Sequence, residues 1–333
     1  MIYKELLSQL INKADLTQAQ ASQVMDQLLT DNLSSEQIAG LLIALRMKGE
    51  TIDEIFGFIN SMNQHALKIK TDLPVVDTCG TGGDHFNTFN ISTTAAFIAS
   101  GAGVIVGKHH NRSVSSQCGS ADVLEALGIN IQMSVDQTKK AIETIGLAFC
   151  FAPLFHSSMK HAVKPRKELG VRTVFNMLGP LLNPINAKRQ VIGVFDNNLM
   201  PIYARLVQKL EHQHTFILHG TDGMDEFSLS APTQIIEIVN DQVKEYEHDP
   251  GHFGIPTTDI KQLVGGDAEA NARIIIDILD GEKGPKRDIA LINAAFAIVV
   301  GGKARDLKTG FEMAVDAIDS GSAKKKLDQL TIS

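Results

Sequence analysis

Apolar positions recur at helical spacing through the first 68 residues and then give way to a different rhythm. Leu6, Leu7, Leu10 and Ile11 fall on one helix face. Thr17 caps a second helix carrying Val24, Met25 and Leu28, and Ser35 precedes a third with Ile38, Leu41, Leu42 and Leu45. Thr51-Ile52-Asp53-Glu54 is a capping box that opens a fourth, with Ile55, Phe58 and Ile59 inside. Lys68 to Pro74 is polar and turn-like, a hinge between two parts. From residue 75 onward short apolar runs alternate with longer amphipathic ones. Strands are expected at 75–79, 103–107, 147–151, 191–195 and 214–219, and helices at 91–100, 120–127, 134–146, 198–211, 269–280, 286–301 and 308–319. Ser134-Val135-Asp136-Gln137 is another capping box, residues 225 to 260 read as an added β-rich excursion, and Lys324-Lys325-Lys326 reads as a solvated helix end. The expected fold class is α/β: a small all-helical N-terminal domain, residues 1–70, and a larger domain, residues 71–333, built on a mostly parallel sheet covered by helices. Ligands of such sheets bind at the carboxyl ends of the strands.

Composition narrows this little. Of 333 residues 44% are hydrophobic, enough for a large core, but only 5% are aromatic and Trp is absent, so the core is aliphatic. A formal charge of −7 argues against general nucleic-acid binding. Cys79, Cys118 and Cys150 are odd in number and have no paired spacing, which fits free thiols in a reducing cytoplasm. The N-terminus lacks a secretory pattern, and no apolar run reaches the ~18 residues of a membrane span.

The chemistry concentrates after the expected strands. Asp77-Thr78-Cys79-Gly80-Thr81-Gly82-Gly83-Asp84 crowds three glycines into one strand-to-helix turn, and Asn90, Ser92 and Thr93 open the helix that follows. Backbone N–H groups free of side chains, beside a helix N-terminus, make an anion site. Neither the dinucleotide pattern nor the Walker loop fits, because His85 takes the third glycine position and no Lys follows at the required spacing. Lys108-His109-His110-Asn111-Arg112-Ser113 closes the second strand with basic groups; Lys108 suits a phosphate, and the adjacent histidines splay too far apart for a metal pair. Ser115-Ser116-Gln117-Cys118-Gly119-Ser120 is a candidate second anion loop. Arg166 is a candidate for a planar carboxylate, with a salt bridge to Glu168 as the plain alternative. Asp225-Glu226, after a glycine-containing turn, suggests Mg²⁺, which takes few protein carboxylates when substrate phosphates complete its shell.

In this order and over essentially the whole chain, these motifs resemble the anthranilate phosphoribosyltransferase family; Arg172-Thr173, Phe175-Asn176 and Leu178-Gly179-Pro180-Leu181 add to the match. The resemblance implies Mg²⁺-dependent transfer of phosphoribose from PRPP to the amine of anthranilate. It implies a homodimer joined through the helical domain, to which about 165–185 returns, and an active site in the cleft at the hinge. It assigns Gly80, Gly82, Gly83, Asp84, Thr88, Asn90, Ser92, Thr93, Lys108 and Ser120 to PRPP. Gly80, His109, Asn111, His156, Arg166 and Gly179 go to anthranilate, and Ser92, Asp225 and Glu226 to the metal. His109 is the candidate proton acceptor. No membrane or nucleic-acid partner is expected. His85, His110, Gln117 and Lys164-Pro165 depart from the family pattern. A left-handed backbone at either His would carry strain, although His tolerates it better than a β-branched residue, so both loops are expected to form. Two readings compete: a pyrimidine nucleoside phosphorylase, which needs neither the acid pair nor this glycine loop, and a non-enzymatic nucleic-acid-binding relative.

Overall fold

The computed structural model describes residues 2–112 and 118–332. Ser113, Ser115, Ser116 and Gln117 lie outside the described residues. Four helices come first, α1 (Ile2–Ile11), α2 (Gln18–Leu29), α3 (Ser35–Lys48) and α4 (Ile52–His65). The last three close their N-termini with capping boxes, Thr17 with Gln20, Ser34 with Gln37 and Thr51 with Glu54. Ser34, one residue before the expected position, caps α3 because Gln37 stands three residues beyond it.

The alternating part follows: β1 (Val76–Asp77), α5 (Ile91–Gly101), β2 (Val106–His110), α6 (Ser120–Ala126), α7 (Val135–Thr144) and β3 (Leu147–Phe151). Helices then return in α8 (Ala152–Phe155), α9 (Lys160–Leu169) and α10 (Phe175–Leu178). The sheet resumes with β4 (Arg189–Gly193), α11 (Met200–Lys209), β5 (His214–Gly220), β6 (Thr233–Val239) and β7 (Gln242–His248). The chain ends in α12 (Ala268–Leu279), α13 (Pro285–Val300), α14 (Leu307–Asp319) and α15 (Ser322–Ile332).

Two compact units result, residues 1–68 with 152–184 and residues 69–151 with 185–333. In the helical unit α2 packs on α4 through Leu28, Ile55, Phe58 and Ile59, all inaccessible to solvent. The return segment begins at 152, earlier than the expected 165, and its α9 packs on α2 and α3. Pro165 sits inside α9 and supplies no N–H to the preceding turn, yet the helix runs on to Leu169 and ends at Gly170 in the left-handed region (φ 61°).

The larger unit holds one seven-stranded sheet in the order β3-β2-β1-β4-β5-β6-β7. The first five strands are parallel; β6 and β7 add antiparallel at one edge. That hairpin is the excursion expected between 225 and 260, and it turns at Asn240-Asp241, both at positive φ, as a two-residue hairpin loop requires. α5 packs on β2, β3 and α13, while α13 lies against β1, β4 and β5 and is buried almost all round. Strand order reverses on either side of β1, which places a crevice outside the ends of β1 and β4.

Other expectations also needed correction: β1 spans only Val76–Asp77 of the expected 75–79. β2 ends at His110, not 107, because its parallel pairing continues along β3 through Lys108↔Phe149, His109↔Cys150 and His110↔Phe151. Lys108, His109 and His110 are therefore buried strand residues, not loop. β4 starts two residues earlier than expected. The lysine run does not end a helix: it lies in the first half of α15, where Lys324 pairs with Asp280 at 3.0 Å and Lys326 donates to the Ile145 carbonyl.

Candidate active site

Among the described residues the glycine turn, the start of α5 and Lys108 come together at the carboxyl ends of β1 and β2, beside Gly193 at the end of β4. Gly82 and Gly83 take left-handed conformations (φ 67° and 90°), which turn the chain sharply after β1. Gly80 is fixed by close approach: a Cβ there would lie 3.0 Å from the Gly193 carbonyl and 3.4 Å from an Asp225 carboxylate oxygen. Gly193, at the end of β4, is more constrained, since a Cβ would stand 1.5 Å from the Asp225 carbonyl. The glycine turn and the acid loop thus meet on one residue that the sequence reading passed over. Thr81 ties the turn down, its N–H donating to the Gly193 carbonyl at 2.9 Å.

His85 adopts φ 65°, so the left-handed position is real and the loop forms around it. His110 lies in extended β2 and carries no backbone strain. Its imidazole packs against Phe149 and Phe151, and neither ring nitrogen has a hydrogen-bond partner among the described residues. Burial, reinforced by His109, Lys108 and Arg112, pulls its pKa down to about 3.

The N-terminus of α5 faces this turn. Asn90 occupies the cap position but makes no cap hydrogen bond. Thr93, 1% exposed, has a hydroxyl with no partner among the described residues. Lys108, buried on β2, donates to the Thr78 carbonyl and to the Ser92 hydroxyl at 3.2 Å. Ser92 lies beside Glu226 and favours its charged form. Asp225 lies between the Gly82 N–H, which favours its charge, and Asp84, which opposes it. Burial first, then Asp84 and Glu226, drives Asp225 well above the carboxylate range. Burial lifts Glu226 to about 7 against the opposing pull of Lys108. Thr78, Gly80, Ser92, Gly193, Glu226 and Asn293 line a concavity of about 250 Å³ here.

Mg²⁺ fits this donor set. Crowded, desolvated carboxylates that hold protons against their nature are groups short of a cation. Among the described residues no group of three or more His, Cys, Asp or Glu is placed to hold a metal ion.

Three further residues support the site, and the sequence reading gave none of them a role, although Asp77 opens the glycine motif. Asp77 accepts the His109 N–H (3.1 Å) and the Gln190 side chain (3.2 Å), tying β1 to β2 and β4. Asn293 accepts the Phe227 N–H at 3.0 Å, directly after Glu226. Asn271 bonds Asn90 at 3.0 Å. Their partners are distant in sequence, so no local pattern marks these contacts.

The remaining assigned residues divide between the units. Thr88 bridges to Val264, and Ser120 donates to the Asn111 carbonyl at 3.1 Å instead of capping α6, whose cap position is Gly119. Arg112 pairs with Asp122 and Glu125 at 2.7 and 2.8 Å. His156, Arg166 and Gly179 belong to the helical unit. His156 is buried and its Nε2 meets the Leu182 carbonyl at 2.8 Å, so that nitrogen carries a proton. Burial lowers its basicity. The Arg166 guanidinium rests over the Phe175 ring, 5.1 Å from its centre, and pairs with no carboxylate among the described residues, while Glu168 pairs with Lys164. A Cβ on Gly179 would touch nothing, so space is open there.

The α/β domain of the glycosyl transferase family matches residues 72–324, and the helical bundle domain of the glycosyl transferase family matches residues 4–66. The chain is 47% identical to the anthranilate phosphoribosyltransferase of Alkaliphilus metalliredigens over 328 residues, covering 98% of this chain and 97% of that one. The crystal structure of the Thermus thermophilus anthranilate phosphoribosyltransferase superposes with a TM-score of 0.92 at 36% identity, covering 98% of each chain. The Saccharomyces cerevisiae enzyme in complex with PRPP and Mg superposes with a TM-score of 0.91 at 28% identity, covering 98% of this chain and 96% of that one.

Proposed function

The chain belongs to the anthranilate phosphoribosyltransferase family, and from that premise we propose that it transfers the phosphoribosyl group of PRPP to the amine of anthranilate in tryptophan biosynthesis. The products are N-(5-phosphoribosyl)anthranilate and pyrophosphate, and the cofactor is Mg²⁺. The observation that carries the reading is the open N-terminus of α5, uncapped beside a left-handed glycine turn and flanked by Lys108 and an acid pair.

Gly80, Gly82, Gly83 and Asp84 receive the pyrophosphate, with Thr88, Asn90, Ser92, Thr93, Lys108 and Ser120 completing the PRPP set. Ser92, Asp225 and Glu226 hold the metal. Mg²⁺, when bound, offsets the charge that builds on departing pyrophosphate. Backbone N–H groups of the turn and the first turn of α5 do the same with fixed dipoles, and Lys108 adds a full charge. As the bond from C1 of the ribose to pyrophosphate oxygen breaks, the anthranilate nitrogen bonds to that carbon and then sheds a proton. Holding the amine in line lowers most of the barrier, and His109 is the titratable acceptor in the set. Gly80, His109, Asn111, His156, Arg166 and Gly179 serve anthranilate. Arg166 suits its carboxylate, being a guanidinium placed over an aromatic ring and pairing with no acid among the described residues.

The protein acts as a cytoplasmic homodimer joined through the helical unit, where Met47 and Val163 are 80% and 59% exposed. Among the described residues no helix is long and apolar enough to cross a membrane. The crowded acid pair weighs against a nucleoside phosphorylase, which has no use for it. The test mixes protein, PRPP, Mg²⁺ and anthranilate and follows anthranilate fluorescence. Decay that needs both PRPP and Mg²⁺ and disappears in the Asp225→Ala/Glu226→Ala variant is expected; phosphorolysis of thymidine with no such decay would overturn the reading.

A further inference from the structure

Asn90 stands where helices of this chain place their capping side chain, yet it caps nothing. Its side chain is engaged elsewhere. Asn271, in the first turn of α12 and 2% exposed, accepts the backbone N–H of Gly266 through Oδ1 at 2.8 Å. A backbone N–H can only donate, so that end of the Asn271 amide is its oxygen. The other end is therefore Nδ2, and it donates to the Asn90 side chain at 3.0 Å. The Asn90 atom it meets must be Oδ1. The Cys118 thiol approaches the same oxygen at 3.6 Å. With its oxygen occupied, Asn90 keeps its two N–H donors, whose one contact among the described residues is a long 3.5 Å approach to the Cys118 carbonyl.

The relay is built firmly into the fold. Thr88 pairs with Val264, the Phe89 N–H donates to the Leu263 carbonyl at 3.1 Å and the Gly265 N–H donates to the Asn87 carbonyl at 2.9 Å. Gly265 leaves no room for a side chain, since a Cβ would lie 2.4 Å from Asn271 Oδ1 and 2.9 Å from the Phe89 nitrogen.

We propose that Asn271 is a positioning residue for PRPP: it fixes the polarity of the Asn90 amide, so that Asn90 presents donors and not its oxygen to the anion. The proposal rests on the reading of Asn90 as a PRPP ligand. Without Asn271 the Asn90 amide is free to rotate, and its carbonyl oxygen then opposes a phosphate.

A double-mutant cycle tests it, with PRPP titrated calorimetrically in the presence of Mg²⁺ into the full-length protein. Asn271→Ala weakens PRPP binding about 10-fold or more, the scale of a hydrogen bond to a charged group. In an Asn90→Ala background the same substitution changes binding less than about 3-fold, because there is no amide left to orient. The KM for anthranilate stays unchanged, which a general loosening of the fold would not spare. Asn271→Asp gives a second cycle, keeping side-chain volume and the Gly266 bond while losing the donor; its added charge acts in both backgrounds and cancels from the coupling. Should Asn271→Ala fail to fold, this cycle decides. Equal weakening in both backgrounds, or none in either, overturns the inference while leaving the functional reading intact. Failure of the unaltered protein to bind PRPP with Mg²⁺ overturns both.

Discussion

Glu54 is fully buried and Glu226 half-buried, and their surroundings could hardly differ more. Glu54, in the helical unit, is fully buried and saturated. Oε1 accepts the Leu16 N–H at 2.8 Å, and Oε2 accepts the Thr51 N–H at 2.8 Å and the Lys48 ammonium at 2.9 Å. Glu226, at the end of the sheet, has Lys108 and Ser92 nearby but is lifted to about 7 by burial and by Asp84. The same contrast runs through the helix ends. α2, α3 and α4 close theirs with their own side chains, and α5 leaves its own open. Where polar groups satisfy one another the chain gains stability; where they are left wanting, a ligand is expected to complete them.

The largest effect should come from opening the closed glutamate. Glu54→Ala leaves the buried Leu16 and Thr51 N–H groups without an acceptor and Lys48 with Asp15 as its one carboxylate; it should cost about 3 kcal/mol of stability, with PRPP affinity within about twofold of the parent. Urea unfolding measures the first and calorimetry the second; a loss below about 1 kcal/mol would dissolve the contrast. Glu226→Gln should move in the opposite direction. A carboxyl whose folded pKa is raised adds no penalty below its unfolded value and a growing one up to the folded value. The ligand-free variant should therefore be more stable than the parent by about 3 kcal/mol at pH 8 and indistinguishable at pH 4. Its Mg²⁺-dependent turnover should fall by about 100-fold or more.

His110 gives the smallest and cleanest test. Its folded pKa is depressed to about 3, so the unfolded chain binds a proton first as pH falls from about 6.5. Stability is then complete above about pH 6.5 and declines toward pH 3. Between pH 7 and pH 5 the parent should lose about 2 kcal/mol that His110→Phe does not lose, since a third ring between Phe149 and Phe151 has no proton to take. Parallel slopes for the two proteins would mean that His110 reaches solvent.

These groups were unequally legible in the sequence. The capping boxes at Thr51 and Ser134 could be read directly, because each bond spans three residues. The glycine turn was also visible, since turn chemistry is local; a left-handed backbone was open to His85 and His110 alike, and it holds at His85 and not at His110. The strand character of Lys108 to His110 was hidden: polar residues mask a buried strand, and only pairing with Phe149 to Phe151 reveals it. Gly193 read as an ordinary strand glycine because Asp225, which excludes any side chain there, lies on another strand's loop. Asn271 meets Asn90 across 181 positions, and no periodicity spans that.

The helical unit is discontinuous, and this bears on its synthesis as well as its form. α2 and α3 leave the ribosome early, but α9, which packs on both, follows only after the first three strands have been made. At 5–20 residues per second that interval is roughly ten seconds. For that time the faces of α2 and α3 that α9 will cover stand bare, so the N-terminal helices of the nascent chain are where a chaperone should bind it.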